Sequence, residues 1–384
     1  MTCRSLGELK NFRGKKVVLR LDLNVPIRGG VVFDDFRVKG SMPTLNYLRD
    51  GGAKVIIISH IGEKGLETLR PVADYLNVKL LPLRIDSSLK NEIGEMSPGQ
   101  VVMLENLRQD LREIQNGIDF ARELASLGDI YVNDAFSVSH RKHASIVTLP
   151  SLLPSYVGFL LQSEMVNLSK AFDPPHPFLL ILGGIKFETK INLVKKFVGI
   201  ADQIFIGGGL SNTLFKKMGY EVGVSLVDQK DIDLDFIFSA MDKNKIILPV
   251  DVTVSSEAGN TIKRPDQVLV SENILDMGTE SLESLRRMID KSKFILWNGP
   301  MGNFEKGFKN VTEKLALAIS QSGARSIVGG GDTLASIRDL GIMDKFTFVS
   351  SGGGAMLDFL VNGTLPGIET IKNYRRKTIE VGLR

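Results

Sequence analysis

A single cysteine, Cys3, among 384 residues excludes an internal disulfide and a cysteine-ligated metal site. No apolar run approaches the roughly 18 residues that a bilayer span needs, so no membrane partner is expected. The opening residues MTCRSLGELKNFRGKK are polar and basic without an apolar centre, unlike a secretory signal. Neither HxxxH nor HExxH occurs, which leaves zinc chemistry of that kind without a basis. The Walker A pattern GxxxxGK[ST] is missing. GxGxxG fails at Gly207, Gly329 and Gly352, because Asn212, Leu334 and Leu357 hold the third position. There is no heptad pattern, low-complexity tract or short-period repeat. A net charge of +4 is too small to argue for nucleic acid. These absences leave a cytoplasmic enzyme as the plain expectation.

The chain is too long for one typical core and fits two domains. Its 43% hydrophobic and 24% charged content is that of a globular protein. Short β-rich runs alternate with amphipathic segments throughout, which predicts parallel sheets with helices on both faces. Ligands of such sheets sit beyond the carboxyl ends of the strands. The strand read at Lys16 to Leu21 leads into Asp22 and Asn24. The strand read at Ala53 to Ser59 leads into His60-Ile61-Gly62, and Val101 to Leu104 leads into Glu105-Asn106-Leu107-Arg108. Asp129 to Val132 runs into Asn133-Asp134 and then Ser139-His140-Arg141-Lys142-His143. Any one arginine here is an ordinary surface or capping residue. Arg37, Arg108 and Arg141 together, with His60, suit a small phosphorylated or carboxylated substrate held by bidentate pairs. His60 and His140 read equally well as core histidines bonded to backbone.

Leu153 to Phe172 reads as one long amphipathic helix. Pro174, Pro175 and Pro177 then stop it and mark a domain boundary. Beyond them, strand-to-glycine turns recur at Gly183-Gly184, Gly207 to Gly209, Gly299, Gly329 to Gly331 and Gly352 to Gly354. In Ser326 to Ala335, SIVGGGDTLA, a buried strand end meets a tight turn, and Asp332-Thr333 is read as the N-cap of a helix. A helix start favours phosphate, and a carboxylate beside it suits magnesium. Lys186 and Lys190, four apart, would share one face if helical; they either clamp a polyphosphate or are merely solvated.

These pieces resemble the phosphoglycerate kinase family over nearly the whole chain. The resemblance is carried by RLDLNVP (20–26), SHIG (59–62), LENLR (104–108), YVNDAF (131–136), SHRKH (139–143), GGIK (183–186), IGGG (206–209), LPVDV (248–252), WNGPMGNFE (297–305), GGGDT (329–333), SGGGA (351–355) and LPG (365–367). It implies two Rossmann-like three-layer α/β/α domains with parallel sheets, joined by a long helix and hinge. Residues 1–152 would hold 3-phosphoglycerate, 153–177 would form the interdomain helix and proline-rich hinge, and 178–367 would hold the nucleotide. The tail, 368–384, would pack back on the first domain. The implied reaction is reversible phosphoryl transfer between 1,3-bisphosphoglycerate and ADP, giving 3-phosphoglycerate and MgATP after hinge closure, by a cytoplasmic monomer. On matching positions the glycerate would meet Asp22, Leu23, Asn24, Arg37, His60, Ile61, Gly62, Glu63, Arg108 and Arg141. The nucleotide would meet Lys186, Lys190, Gly208, Gly209, Asn298, Pro300, Glu305, Gly330, Gly331, Asp332 and Thr333, with Asp332 on Mg2+. Arg37, Lys186 and Gly353 would be the catalytic positions.

The departures are specific. Glu63 stands where the family carries an arginine after the His-x-Gly turn, with Lys64 as a point charge beside it. Thr189 replaces an aspartate between the two lysines, and Ser137 and Ser139 replace small residues. Weakened glycerate binding is the expectation. A catalytically impaired binding or scaffold protein of the same fold is the alternative, with Glu63 and Thr189 for it and Lys186, Lys190, Arg37 and Asp332 against. A nicotinamide-dependent dehydrogenase fails on the missing fingerprint. The tail IETIKNYRRKTIEVGLR is longer and more basic than the family pattern.

Overall fold

The computed structural model describes residues 3–230 and 233–382, with side chains up to Tyr374. The chain divides into two compact units, Met1–Val166 with Asn362–Arg384, and Asn167–Val361. Each is built on a parallel sheet.

In the first unit the strands are β1 (Lys16–Arg20), β2 (Lys54–Ile58), β3 (Lys79–Leu81), β4 (Val101–Leu104), β5 (Ile130–Asn133) and β6 (Ser155–Val157), in the order β3-β4-β2-β1-β5-β6, all parallel. Successive side chains of a strand point to opposite faces. Val17, Leu19, Val55 and Ile57 therefore enter one apolar cluster, and Val18, Ile56, Ile58 and Val102 enter another. The helix Phe36–Asp50 covers the first face with Val38, Leu45 and Leu48; Ile118–Ala125 covers the second with Phe120, Ala121 and Leu124. Unbroken apolar runs in the strands are what burial on both faces demands.

The second unit contains β7 (Phe178–Leu182), β8 (Gln203–Ile206), β9 (Ile246–Ile247), β10 (Val252–Ser256), β11 (Gly259–Lys263), β12 (Asn273–Met277), β13 (Phe294–Asn298), β14 (Arg325–Gly329) and β15 (Phe348–Ser350). The main sheet is parallel, in the order β9-β8-β7-β13-β14-β15. Strands β11-β10-β12 make a small antiparallel sheet, which the reading of alternating parallel units did not anticipate. It has its own cluster of Phe215, Val222, Val252, Val254, Val268 and Ile274.

The helix expected over 153–172 is not one helix. Pro154 lacks the N–H a helix needs, and the residues after it form β6, paired with β5 from Ser155 opposite Tyr131 to Val157 opposite Asn133. Gly158 then lies so close to the Asp134 carboxylate that a Cβ would meet it at 2.2 Å. The helix runs only over Phe159–Ser169, its Leu161 N–H donating to Asp134 at 3.1 Å. The division between units falls after Val166, and the proline-rich stretch to Pro177 lies inside the second unit, ahead of β7.

The chain ends in the first unit. Gly367 donates its N–H to the Ser139 carbonyl at 3.0 Å. A Cβ there would meet the Ile146 methyl at 2.9 Å. Ile368 and Ile371 follow, fully buried. The basic residues of the tail from Arg375 onward lie outside the described side chains.

Candidate functional sites in the two units

In the second unit the ends of β7 and β13 meet backbone to backbone. Gly183 N–H donates to the Asn298 carbonyl and Gly184 N–H to that of Pro300, both at 2.9 Å. Gly299, at φ +98°, approaches Gly183 so closely that a Cβ would stand 2.3 Å from its carbonyl oxygen. Only glycine takes that conformation and that proximity. After β14, Gly330 at φ +105° forms the N-cap of the helix Gly331–Ile337. The capping role read for Asp332-Thr333 therefore moves to Gly330. The Thr333 hydroxyl is engaged elsewhere, accepting the Gly299 N–H at 2.8 Å, and Asp332 is left exposed in the first turn.

These turns surround a cavity of about 360 Å³. Lys186, Lys190, Gly208, Gly209, Asn298, Pro300, Glu305, Gly330, Gly331, Asp332 and Thr333 all line it. Its wall also carries an apolar patch of Leu226, Val252, Ile274, Leu275, Met277 and Phe304. Lys186 and Lys190 do not share a helix face. Asp228 accepts the N–H groups of Phe187 and Glu188 at 2.8 and 3.3 Å and holds residues 185–190 as a loop, so the helix starts at Ile191. Lys186 is exposed on that loop and Lys190 is buried. Burial lowers the Lys190 amine to about 8, against the pull of Asp332. Gly353 lies at φ +51° just before the helix Gly354–Asn362 and is not part of the cavity wall.

In the first unit the strand ends gather cations. Arg37 reaches the buried Asp22 carboxylate at 3.3 Å and the Asn24 carbonyl at 3.0 Å, and the Ser137 hydroxyl donates to Asp22 from the other side. The Asn24 side chain accepts the Gly62 N–H at 2.9 Å. Arg108 is buried and donates Nη1 to the Gly62 carbonyl, while its buried Nε has no acceptor. Burial and the charges of Arg141 and Arg20 lower its pKa; Glu113 and Glu63 oppose them. His60 is held well below its usual range by burial and by Arg20, Arg108, Arg37 and His143. His143 is likewise lowered to about 4 by burial and by Arg108, Arg20 and Arg141. Among the described residues no group of three or more His, Cys, Asp or Glu could hold a metal ion. The arrangement in this unit suits an anion; it offers no metal cage.

The sequence model of phosphoglycerate kinase matches residues 7–363. The phosphoglycerate kinase of Dictyoglomus turgidum is 41% identical over 95% of this chain and 97% of its own. That of Aquifex aeolicus is 42% identical over 93% and 95%. The solved phosphoglycerate kinase of Coxiella burnetii covers 97% of this chain with 99% of its own, at 35% identity and a TM-score of 0.83. The chain belongs to the phosphoglycerate kinase family. It is an enzyme, a kinase acting on a carboxyl group, and its two parallel-sheet domains match the family's structures. Nothing among these relatives supports the scaffold alternative.

Two of the residues expected at the glycerate turn their side chains into the core. Leu23 and Ile61 are core side chains. The Leu23 N–H donates to Ser59 Oγ at 3.1 Å and its carbonyl accepts from Val25 at 3.0 Å. Ile61 has both backbone groups taken by Asn106. They shape the turns and have no spare donor for a ligand. Conversely, Arg20, Ser145 and Glu113 escaped the reading. Arg20, at the end of β1, is 1% exposed, and a charge inside an otherwise apolar strand was the available signal. The apolar wall of the cavity was missed with the small sheet that supplies it.

Proposed function

We propose that the first unit binds 3-phosphoglycerate or 1,3-bisphosphoglycerate, that the second binds ADP or ATP, and that the enzyme moves the terminal phosphoryl reversibly between them. The observation that carries the glycerate assignment is the buried Arg108 Nε, a donor with no protein acceptor, among Arg20, Arg37 and Arg141. A buried unsatisfied donor costs about 1–3 kcal/mol, which an anionic ligand oxygen would recover. Arg37, oriented by Asp22, and Arg141 would add further bidentate donors. Asn24 and Gly62, joined by their hydrogen bond, fix the turn. Glu63, exposed beside this cluster, weakens glycerate affinity.

In the second unit the apolar wall suits a purine ring, with Glu305 at the ribose. The N–H groups at the starts of the helices Gly208–Lys217 and Gly331–Ile337 face phosphates. Lys190 holds them by charge, and Lys186, on its exposed loop, neutralises the phosphoryl in transfer. Arg37 and Gly353 would act on the same group. The leaving carboxylate of an acyl phosphate needs no strong base, so positioning and charge neutralisation do the catalytic work. That accords with sites built from arginines, lysines and helix starts.

Magnesium fits the second site: Asp332 is an exposed carboxylate at a helix start, and Mg2+ typically takes one or two carboxylates with phosphate oxygens. Asp332 would hold the ion, which supplies charge neutralisation on the phosphates when bound. We place the enzyme in the cytoplasm as a monomer, with no nucleic-acid partner; no helix among the described residues is long and apolar enough to cross a membrane. The decisive experiment is steady-state turnover of the purified chain with MgATP and 3-phosphoglycerate, coupled to reduction of the product. Consumption that requires both substrates supports the reading, and its absence overturns it.

A further inference from the structure

We propose that Glu113 is a positioning residue of the glycerate site: through Ser145 and Arg20 it fixes which ring nitrogen of His60 carries the proton. The proposal rests on the reading of the first unit as the glycerate site.

The short helix Leu111–Ile114 delivers Glu113 fully buried. Ser145 donates its N–H to one carboxylate oxygen at 2.9 Å and its hydroxyl to the other at 2.6 Å. The same hydroxyl lies 3.1 Å from Arg20 Nε. A guanidinium only donates and a carboxylate only accepts. The hydroxyl therefore accepts from Arg20 and passes its own proton toward Glu113, and the order of donors is set. Arg20 continues the chain. Its Nη1 donates to the Leu21 carbonyl at 2.6 Å, and its Nη2 lies 3.1 Å from His60 Nδ1. Because Arg20 has no acceptor, Nδ1 must accept, and the neutral ring keeps its proton on Nε2. Burial and the surrounding arginines hold that ring neutral. His60 thus presents an uncharged N–H donor suited to a carboxylate or phosphate oxygen.

Glu113 also supplies the charge that a buried guanidinium needs. Burial works against the Arg20 charge, and Glu113 is foremost among the groups that support it, ahead of Tyr131 and Asp22. Removing one partner of such a pair leaves the other uncompensated. Without Glu113, Arg20 loses its counter-charge, Ser145 loses its acceptor, and His60 loses the donor that selects its tautomer. Glu113 lies three hydrogen bonds removed from the ring, so it acts through Ser145 and Arg20.

Glu113→Gln and Ser145→Ala test this in the intact protein. Ser145→Ala cuts the link while leaving the Glu113 carboxyl in place, and it serves if Glu113→Gln does not fold. The long-range 15N–1H correlations of His60, one of four histidines, report the proton position directly. In each variant the His60 pattern is expected to move from the Nε2–H form toward a mixture. The KM for 3-phosphoglycerate should rise about tenfold while that for ATP changes less than about twofold. A wild-type His60 pattern in the folded variants overturns the proposal, and so does an equal loss of affinity for both substrates. A wild-type His60 signal that ignores added 3-phosphoglycerate refutes the glycerate reading instead, leaving the variant spectra to judge the tautomer.

Discussion

If Lys190 neutralises nucleotide phosphates, its buried amine makes nucleotide affinity depend on pH in a calculable way. Without ligand, burial holds it at about 8, against an ordinary 10.5. A bound polyphosphate favours the charged form and returns the pKa toward the ordinary value. Affinity then falls as pH rises through about 8, by roughly tenfold between about pH 7 and about pH 9, because only about a tenth of the free amine is still charged at the upper end. Calorimetric titration with MgADP across that range reads the loss, and proton uptake of about half a proton near pH 8 should accompany binding. Lys190→Met removes the dependence and weakens binding by roughly 100-fold at about pH 7. Asp276, also in the cavity wall and raised by burial to about 7, titrates in both proteins, so the difference between them isolates Lys190. The same shift makes Lys190 a burden on folding. Its folded pKa lies below its unfolded one, so the penalty is full below about pH 8 and fades as pH rises through about 10.5, with a limit of roughly 3 kcal/mol. Lys190→Met should therefore be more stable than wild type at about pH 7 by up to that amount. Parallel pH curves for wild type and Lys190→Met would refute the argument.

Three other outcomes are expected. Glu63→Arg reverses a charge beside Arg108; at about 6–8 Å in near-aqueous surroundings two unit charges are worth roughly 0.6 kcal/mol, and going from −1 to +1 doubles that to roughly 1.2 kcal/mol. The KM for 3-phosphoglycerate should fall about five- to tenfold in the coupled assay, and an unchanged value would show that Glu63 does not face the substrate. Gly299→Ala puts a Cβ 2.3 Å from a backbone oxygen at φ +98°, whereas at Gly307, φ +84°, nothing lies within 4 Å. The first should lose more than about 3 kcal/mol in denaturant unfolding and the second about 1 kcal/mol, since only backbone conformation is strained there. Asp332→Asn should raise the magnesium concentration for half-maximal rate at least tenfold while leaving metal-free ADP binding within about twofold; equal losses would remove Asp332 from the metal.

The strands were readable because sheets buried on both faces require unbroken apolar runs, and Val101–Leu104 and Phe178–Leu182 begin and end where such runs do. Glycine turns were readable because φ +98° and φ +105° at Gly299 and Gly330 admit little else. What stayed hidden was decided by distant partners. The residues after Pro154 have a helical apolar pattern, yet β5 recruits Ser155–Val157 as an edge strand. Four-residue spacing put Lys186 and Lys190 on one face until Asp228, some forty positions onward, took the N–H groups a helix there would have used. Arg37 and Arg108 were legible as cations beyond strand ends. Arg20 was not, because its role depends on Glu113 and Ser145 coming to it from elsewhere in the chain.

The return of the last helix to the first unit has a consequence for biosynthesis. Ile368 and Ile371 complete a core whose other members were translated hundreds of residues earlier, and Gly367 is wedged against Ser139 and Ile146. The leading half of the nascent polypeptide must therefore wait on the ribosome for its final piece, while Asn167–Val361 has every residue it needs sooner. A premature stop just before Pro366 would leave the earlier-made half permanently unfinished.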